Sequence, residues 1–184
     1  MIETKHTLVA LVLDRPGVLN RVSSLFRRRG FNIDSIVVGH SEIPGFSRMT
    51  IIVNGASTMV EQVRKQLDKV ISVVKVSDIT QDNIVSRELA LIKVKADAST
   101  RSEIIQIVDI FRANIVDVAA DSVVVEVTGD LDKVESLLNM LRVFGIKEMA
   151  RTGKIAMTRG ISSALSINEV EPEQKTTARK RKTS

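Results

Sequence analysis

The chain has 184 residues, of which 43% are hydrophobic and 27% are charged, a composition typical of a globular protein. It contains no cysteine, which excludes disulfides, thiolate catalysis and cysteine-bound metals. Aromatic residues make up only 3%, which argues against modules that stack nucleic-acid bases on aromatic side chains.

The net charge of +5 is concentrated at the end of the chain. All acidic residues lie at or before Glu173, and residues 1–173 carry equal numbers of both signs. We therefore predict a basic, disordered tail over residues 165–184, although such a tail can instead contact nucleic acid or a partner. The basic residues that follow the last acidic one are Lys175, Arg179, Lys180, Arg181 and Lys182.

The first apolar run is short and is followed by no cleavage-site pattern of a signal peptide. No run reaches the 18 to 20 apolar residues or so that a membrane helix needs. The sequence therefore predicts a soluble, cytoplasmic protein with no membrane partner, and the neutral body predicts no nucleic-acid partner.

Residues 6–13 form an apolar run without a turn former, which predicts a buried strand. The run ends at the turn Asp14-Arg15-Pro16-Gly17, and the helical spacing of the next apolar residues predicts a helix that ends at Gly30. Residues 33–40, 46–54 and 71–79 are also strand-like. A capping-box pattern at Thr58 and Glu61 predicts a second helix, which completes the order βαββαβ. The stripe of the first helix comprises Val18, Leu19, Val22, Leu25 and Phe26.

The same order returns in the second half of the chain. Helices are predicted to begin near Thr100, in a second capping box with Glu103, and near Asp130. The strand-like runs are residues 87–96, 114–119, 122–128 and 145–157.

This repetition predicts the α+β class, with two ferredoxin-like βαββαβ domains in tandem at residues 4–80 and 85–160. A domain of that size buries too little apolar surface to be very stable alone. We therefore expect a homodimer.

The turn at residues 14–17 has two interpretations. Asp, Pro and Gly are all turn formers, so it can be a plain turn into a helix. It can also bind an α-amino acid: the N–H groups of Gly17, Val18 and Leu19 meet the positive end of the helix dipole and suit a carboxylate, while Asp14 suits an ammonium. Further candidates for this site are Asn32, as a hydrogen-bonding group, and Leu19, Ile33 and Val37, as an apolar wall.

The run Asp-Arg-Pro-Gly-Val-Leu at residues 14–19 resembles the ligand loop of an ACT domain. Stretches in both halves of the chain resemble the regulatory small subunit of acetohydroxyacid (acetolactate) synthase. They are residues 25–35, 47–51, 66–69, 85–93, 150–153 and 158–160.

The resemblance implies an N-terminal ACT domain and a regulatory role without catalysis. It implies a separate catalytic large subunit that this chain activates, contacted by residues 85–160, and feedback inhibition by valine, isoleucine or leucine in branched-chain amino acid biosynthesis. Thiamine diphosphate, Mg and FAD are expected on that partner; this chain is expected to bind no cofactor and no metal.

In the family the effector lies between two ACT domains. Carried over, Asp14, Gly17, Val18 and Leu19 come from one chain, and Asn32 and Ile33 come from the other. Many bacterial members have Asn where this chain has Asp14, which places a carboxylate near the effector.

Three other classes of function are compatible with parts of the sequence. A nucleic-acid-binding protein that uses the basic tail is disfavoured by the neutral body and the scarcity of aromatic residues. A stand-alone ACT-type amino-acid sensor would share the turn but would not need the second βαββαβ unit. An enzyme is disfavoured because the sequence offers no nucleophile–base pair, metal cluster or phosphate loop, and no catalytic residue is assigned.

Overall fold

The computed structural model describes residues 4–160 and 163–165. Its first unit runs in the order β1, α1, β2, β3, α2, β4, as the sequence predicts. These elements are β1 (Thr4–Leu13), α1 (Val18–Arg28), β2 (Ile33–His40), β3 (Phe46–Gly55), α2 (Ser57–Leu67) and β4 (Val73–Asp78).

The second unit repeats the order and adds one strand. Its elements are β5 (Ile84–Lys95), α3 (Arg101–Ile110), β6 (Asn114–Val118), β7 (Ser122–Gly129), α4 (Leu131–Leu141), a 3-10 turn (Arg142–Phe144), β8 (Ile146–Arg151) and β9 (Ile155–Thr158). None of the helices in the described ranges is long and apolar enough to cross a membrane.

Each unit contains an antiparallel sheet with its first strand in the interior. The strand orders are β2-β3-β1-β4 and β6-β7-β5-β8, the ferredoxin-like arrangement. The predicted fold class, α+β with two ferredoxin-like βαββαβ domains in tandem, is confirmed.

The second unit departs from the prediction at its end. The single strand predicted over residues 145–157 is two strands, separated at Gly153, whose φ is +85°. The second of them, β9, pairs with the first residues of β5, from Ile84 to Arg87. These two segments form a two-stranded ribbon, called here the β5–β9 ribbon, that lies against the first sheet.

Alternation along β1 explains this contact. Leu8, Ala10 and Val12 face the helices of the first unit, and Val9 and Leu11 face the opposite side of the sheet. All five are at most 2% exposed, because Ala156 of the β5–β9 ribbon and Leu165 cover the second face. A strand buried on both faces is apolar throughout, as residues 8–13 are. The rest of the predicted tail, residues 166–184, lies outside the described residues.

Of the three predicted capping interactions one is confirmed, the one at Asp130. Thr100 is the N-cap of α3, but its side chain makes no capping hydrogen bond. The Asp130 carboxylate accepts a hydrogen bond of 2.9 Å from the Lys133 N–H at the start of α4, as predicted. The capping box at Thr58 is wrong: α2 already begins at Ser57, its N-cap is Ala56, and no side chain caps it. Glu61 instead forms an ion pair with Arg64.

Replacing Asp130 by alanine is expected to lower the free energy of unfolding by about 1 kcal/mol, because the Lys133 N–H loses its acceptor. Thr58→Ala is the matched control and is expected to change it by less than about 0.5 kcal/mol. Urea unfolding followed by circular dichroism measures both. Equal effects would contradict the assignment of the caps.

Candidate binding turn and interdomain cleft

The turn at residues 14–17 is held from two sides. The Asp14 N–H donates to the Gly45 carbonyl at 2.9 Å, and the Leu13 N–H donates to the Ser72 carbonyl at 2.9 Å. Arg21 of α1 also donates to the Ser72 hydroxyl at 2.7 Å. The turn is therefore fixed before any ligand arrives, which reduces the entropy lost on binding.

Gly17 supplies the geometry that the turn needs. It is the N-cap of α1 with φ +83°, a left-handed conformation that suits glycine, and an added Cβ would meet no described atom within 4 Å. Within the described part of the chain, no acceptor pairs with the N–H of Gly17 or Leu19, and the contact from the Val18 N–H to the Arg15 carbonyl is long, 3.4 Å. These donors lie where the helix dipole is positive, an arrangement that suits a carboxylate.

The side chains around the turn differ in their exposure to solvent. Val18 is 3% exposed and belongs to the core, so only its backbone can reach a ligand. Leu19, predicted both in the apolar stripe of α1 and in the wall of the site, is 47% exposed. It is available as an apolar contact.

Asp14 has a partner that sequence reasoning missed. Its carboxylate lies 3.3 Å from Nδ1 of His40, the last residue of β2. Both side chains are largely exposed, so the pair contributes little to stability and a ligand ammonium can displace the imidazole. Only the return of β2 toward the start of α1 brings these residues together, and nothing in the local sequence signals it.

Asn32 and Ile33 lie at the other end of α1. That helix has 11 residues and is therefore about 16 Å long. Within one chain, the structure does not bring these two residues to the turn. They line a cleft of about 1050 Å³ between the two units.

Ion pairs of the second unit border this cleft, and a hydrogen bond from Lys154 crosses it. Arg151 of β8 bonds to Glu135 at 2.6 Å and to Glu88, which is 7% exposed. Burial alone would lower the pKa of Arg151, but its bonds to Glu135 and Glu88 raise it. Lys154 donates to the Thr7 hydroxyl at 3.3 Å, and burial lowers its pKa. The polar side chains thus connect the two units.

Val37, predicted as part of the effector wall, lies on the side of β2 that meets the β5–β9 ribbon. A Cβ added at Gly153 would lie 3.1 Å from the Val37 Cγ2 and closer still to the Ser35 hydroxyl. Arg48 of β3 donates to the Ala156 carbonyl at 2.9 Å in the same region. The strand that begins at Ile33 is therefore packed directly against the second unit.

Comparison with known proteins identifies the family. The chain is 56% identical over 156 residues to a protein of Archaeoglobus fulgidus described as a probable acetolactate synthase small subunit, covering 85% of this chain and 98% of the relative. It is 51% identical over 166 residues to the acetolactate synthase small subunit of Bacillus subtilis, covering 90% and 96%. The chain belongs to the acetolactate synthase small-subunit family.

Models of the family agree with this assignment in both units. Residues 8–75 match the ACT domain of the acetolactate synthase (AHAS) small-subunit type, and residues 87–160 match a model described as the small subunit of acetolactate synthase. The crystal structure of the acetolactate synthase small subunit of Thermotoga maritima superimposes with a TM-score of 0.79 at 44% identity, covering 86% of this chain and 99% of that one. The chain is thus an acetolactate synthase small (regulatory) subunit with an ACT domain.

Proposed function

We propose that this small subunit activates a separate catalytic large subunit and makes it sensitive to inhibition by valine or a related branched-chain amino acid. Thiamine diphosphate, Mg and FAD belong to that partner, and this chain acts in the cytoplasm without a catalytic site of its own. The observation that carries the proposal is the open turn, where the N–H groups of Gly17 and Leu19 have no acceptor among the described residues and the exposed Asp14 carboxylate belongs to the same turn.

The free edge of β2 supports a two-chain site. β2 is an edge strand, so its outer N–H and C=O groups can pair with a second β2. Antiparallel pairing about a two-fold axis places the start of one β2 beside the end of the other. Since His40 at that end contacts Asp14, the partner's Asn32 and the partner's Ile33 would approach the turn.

Each part of a branched-chain amino acid then has a matching group. Its carboxylate accepts from the N–H groups of Gly17, Val18 and Leu19, and its ammonium pairs with Asp14. Its side chain packs between Leu19 and the partner's Ile33. An effector that binds only one dimer arrangement shifts the population toward it by its differential affinity, and a few kcal/mol suffices.

Calorimetry on the purified chain with valine, isoleucine and leucine tests this proposal. We expect saturable binding of at least one of them and inhibition of the reconstituted complex by the same amino acid. Alanine, which lacks the branched side chain, is the control and is expected to bind at least tenfold more weakly. Absence of binding by all three would refute the effector site.

Asn32→Ala is expected to weaken effector binding about tenfold, because the effector loses one hydrogen-bonding partner, and to leave activation of the catalytic subunit unchanged. Asn139→Ala, on the exposed side of α4, is the matched control and should alter neither. Calorimetry and activity of the reconstituted complex measure the two effects. Unchanged effector affinity in Asn32→Ala would remove this residue from the site.

A stand-alone amino-acid sensor is the second candidate, favoured by the fact that the turn lies entirely in the first unit. Co-purification separates the two functions. A regulatory subunit is expected to retain a catalytic large subunit and to raise its activity, whereas a sensor would do neither.

A further inference from the structure

The described chain contains a second cleft, bounded by β2, β3 and the β5–β9 ribbon. Its volume is about 320 Å³, at the lower end of the range for small-molecule sites. It lies on the face of the first sheet opposite the helices, so it is separate from the donors of the turn. His40 borders both places.

Two arginines line this cleft: Arg87 is exposed and donates to the Ser86 carbonyl, and Arg48 is the more buried of the two. Arg48 reaches into it from β3 and donates to the Ala156 carbonyl, but no carboxylate of the described residues lies within 4.0 Å of its guanidinium. Burial lowers the pKa of Arg48, and the more distant Glu42 acts in the opposite direction. A partly buried guanidinium with one neutral acceptor is an incomplete arrangement, since it has several N–H donors suited to a carboxylate.

The walls of the cleft are apolar. Ile155 and Met157 of the ribbon line the cleft and are 54% and 60% exposed. Val37 and Val85 contribute further apolar surface, and none of the residues that line the cleft is acidic. The cleft therefore suits an apolar group attached to an anion. It offers no carboxylate to a ligand ammonium.

Gly39 opens the space above the guanidinium. It is the register partner of Arg48, so the two residues project on the same face of the sheet. Its φ lies outside the left-handed region, and no described atom would meet an added Cβ within 4 Å, so neither backbone conformation nor packing in this chain requires glycine there. Glycine inside a strand often marks the close approach of a ligand.

We infer that this cleft binds a short, branched monocarboxylate without an amino group, with its carboxylate on Arg48 and its alkyl group against Val37, Ile155 and Met157. The inference is independent of the effector site at the turn. The two sites would select different ligands. The turn offers the Asp14 carboxylate to an ammonium group, whereas the lining of the cleft contains no carboxylate and favours an acid without an amino group.

Calorimetry on the full chain with isobutyrate tests the inference, and isobutyramide, which has the same shape without the charge, is the matched ligand control. We expect saturable binding of isobutyrate and at least tenfold weaker binding of isobutyramide. Two substitutions alter the cleft in different ways: Arg48→Met removes the more buried of its two guanidinium groups, and Gly39→Val fills the space with a residue that strands accept. Each is expected to weaken isobutyrate binding at least tenfold.

Gly17→Asp, which alters only the turn, is expected to bind isobutyrate like the unaltered chain, and in that background valine should not bind to the cleft. If Arg48→Met does not fold, Gly39→Val decides the question. Absence of saturable isobutyrate binding, equal binding of the amide, or unchanged affinity in Gly39→Val would overturn the inference.

Discussion

Replacing Gly17 by aspartate is expected to abolish inhibition by the branched-chain effector while activation of the catalytic subunit is retained. The substitution places a carboxylate beside Asp14 and beside the carboxylate of the effector, at the position where the N–H donors of α1 are open. It also forces a non-glycine residue to φ +83°, which costs about 1 kcal/mol. Activity of the reconstituted complex against effector concentration measures the loss.

Gly17→Asn is the matched control for this experiment. Asparagine has nearly the same size and tolerates the left-handed region, so it carries the steric change without the charge. We expect it to retain a weakened response. If Gly17→Asp were inhibited as strongly as the unaltered complex, the turn would not be the effector site, and equal loss in both variants would assign the effect to shape rather than charge.

Gly153→Ala is expected to loosen the contact between the two units. The new Cβ would lie 3.1 Å from the Val37 Cγ2 and would collide with the Ser35 hydroxyl, and φ is +85°. Overpacking and backbone strain together are expected to cost about 3 kcal/mol. Amide hydrogen exchange should become faster in β2 and β9, and thermal unfolding should begin at a lower temperature.

Gly145→Ala separates these two causes. Its φ is +93°, but its Cβ would meet only the Lys95 Cβ at 3.9 Å, an ordinary contact. It is expected to cost about 1 kcal/mol and to leave exchange in β2 unchanged. Adding Ser35→Ala to Gly153→Ala is expected to recover part of the stability. Identical behaviour of the two glycine variants would show that β2 does not restrain the turn at Gly153.

Most of the fold was predictable because an element with one buried face has apolar residues that recur at the spacing of a strand or a helix. The alternation of apolar residues in β5 and the stripe of α1 follow from one buried face each, and both boundaries were predicted within a few residues. The cap at Asp130 was predictable because its partner lies only three residues away. The cap at Thr58 was not, because the extended backbone of Ala56 starts α2 two residues earlier than a Thr58 cap would.

The parts that could not be predicted depend on distant residues. The pair of Asp14 and His40 arises from the path of β2, and the burial of Arg48 arises from a ribbon more than 100 residues later in the chain. For the candidate effector site, the open donors of the turn followed from local sequence, whereas the separation of Asn32 from the turn required the structure.

The coverage of β1 on both faces has a practical consequence for dissecting this molecule. A fragment cut after residue 80 would expose Val9, Leu11 and Phe46 to water, because Ala156 and Leu165 would be gone. Such a fragment would be prone to self-association through this exposed apolar surface. Its oligomeric state would then differ from that of the intact subunit. A shortened chain designed to isolate effector binding should therefore keep the ribbon or replace those three side chains with polar ones.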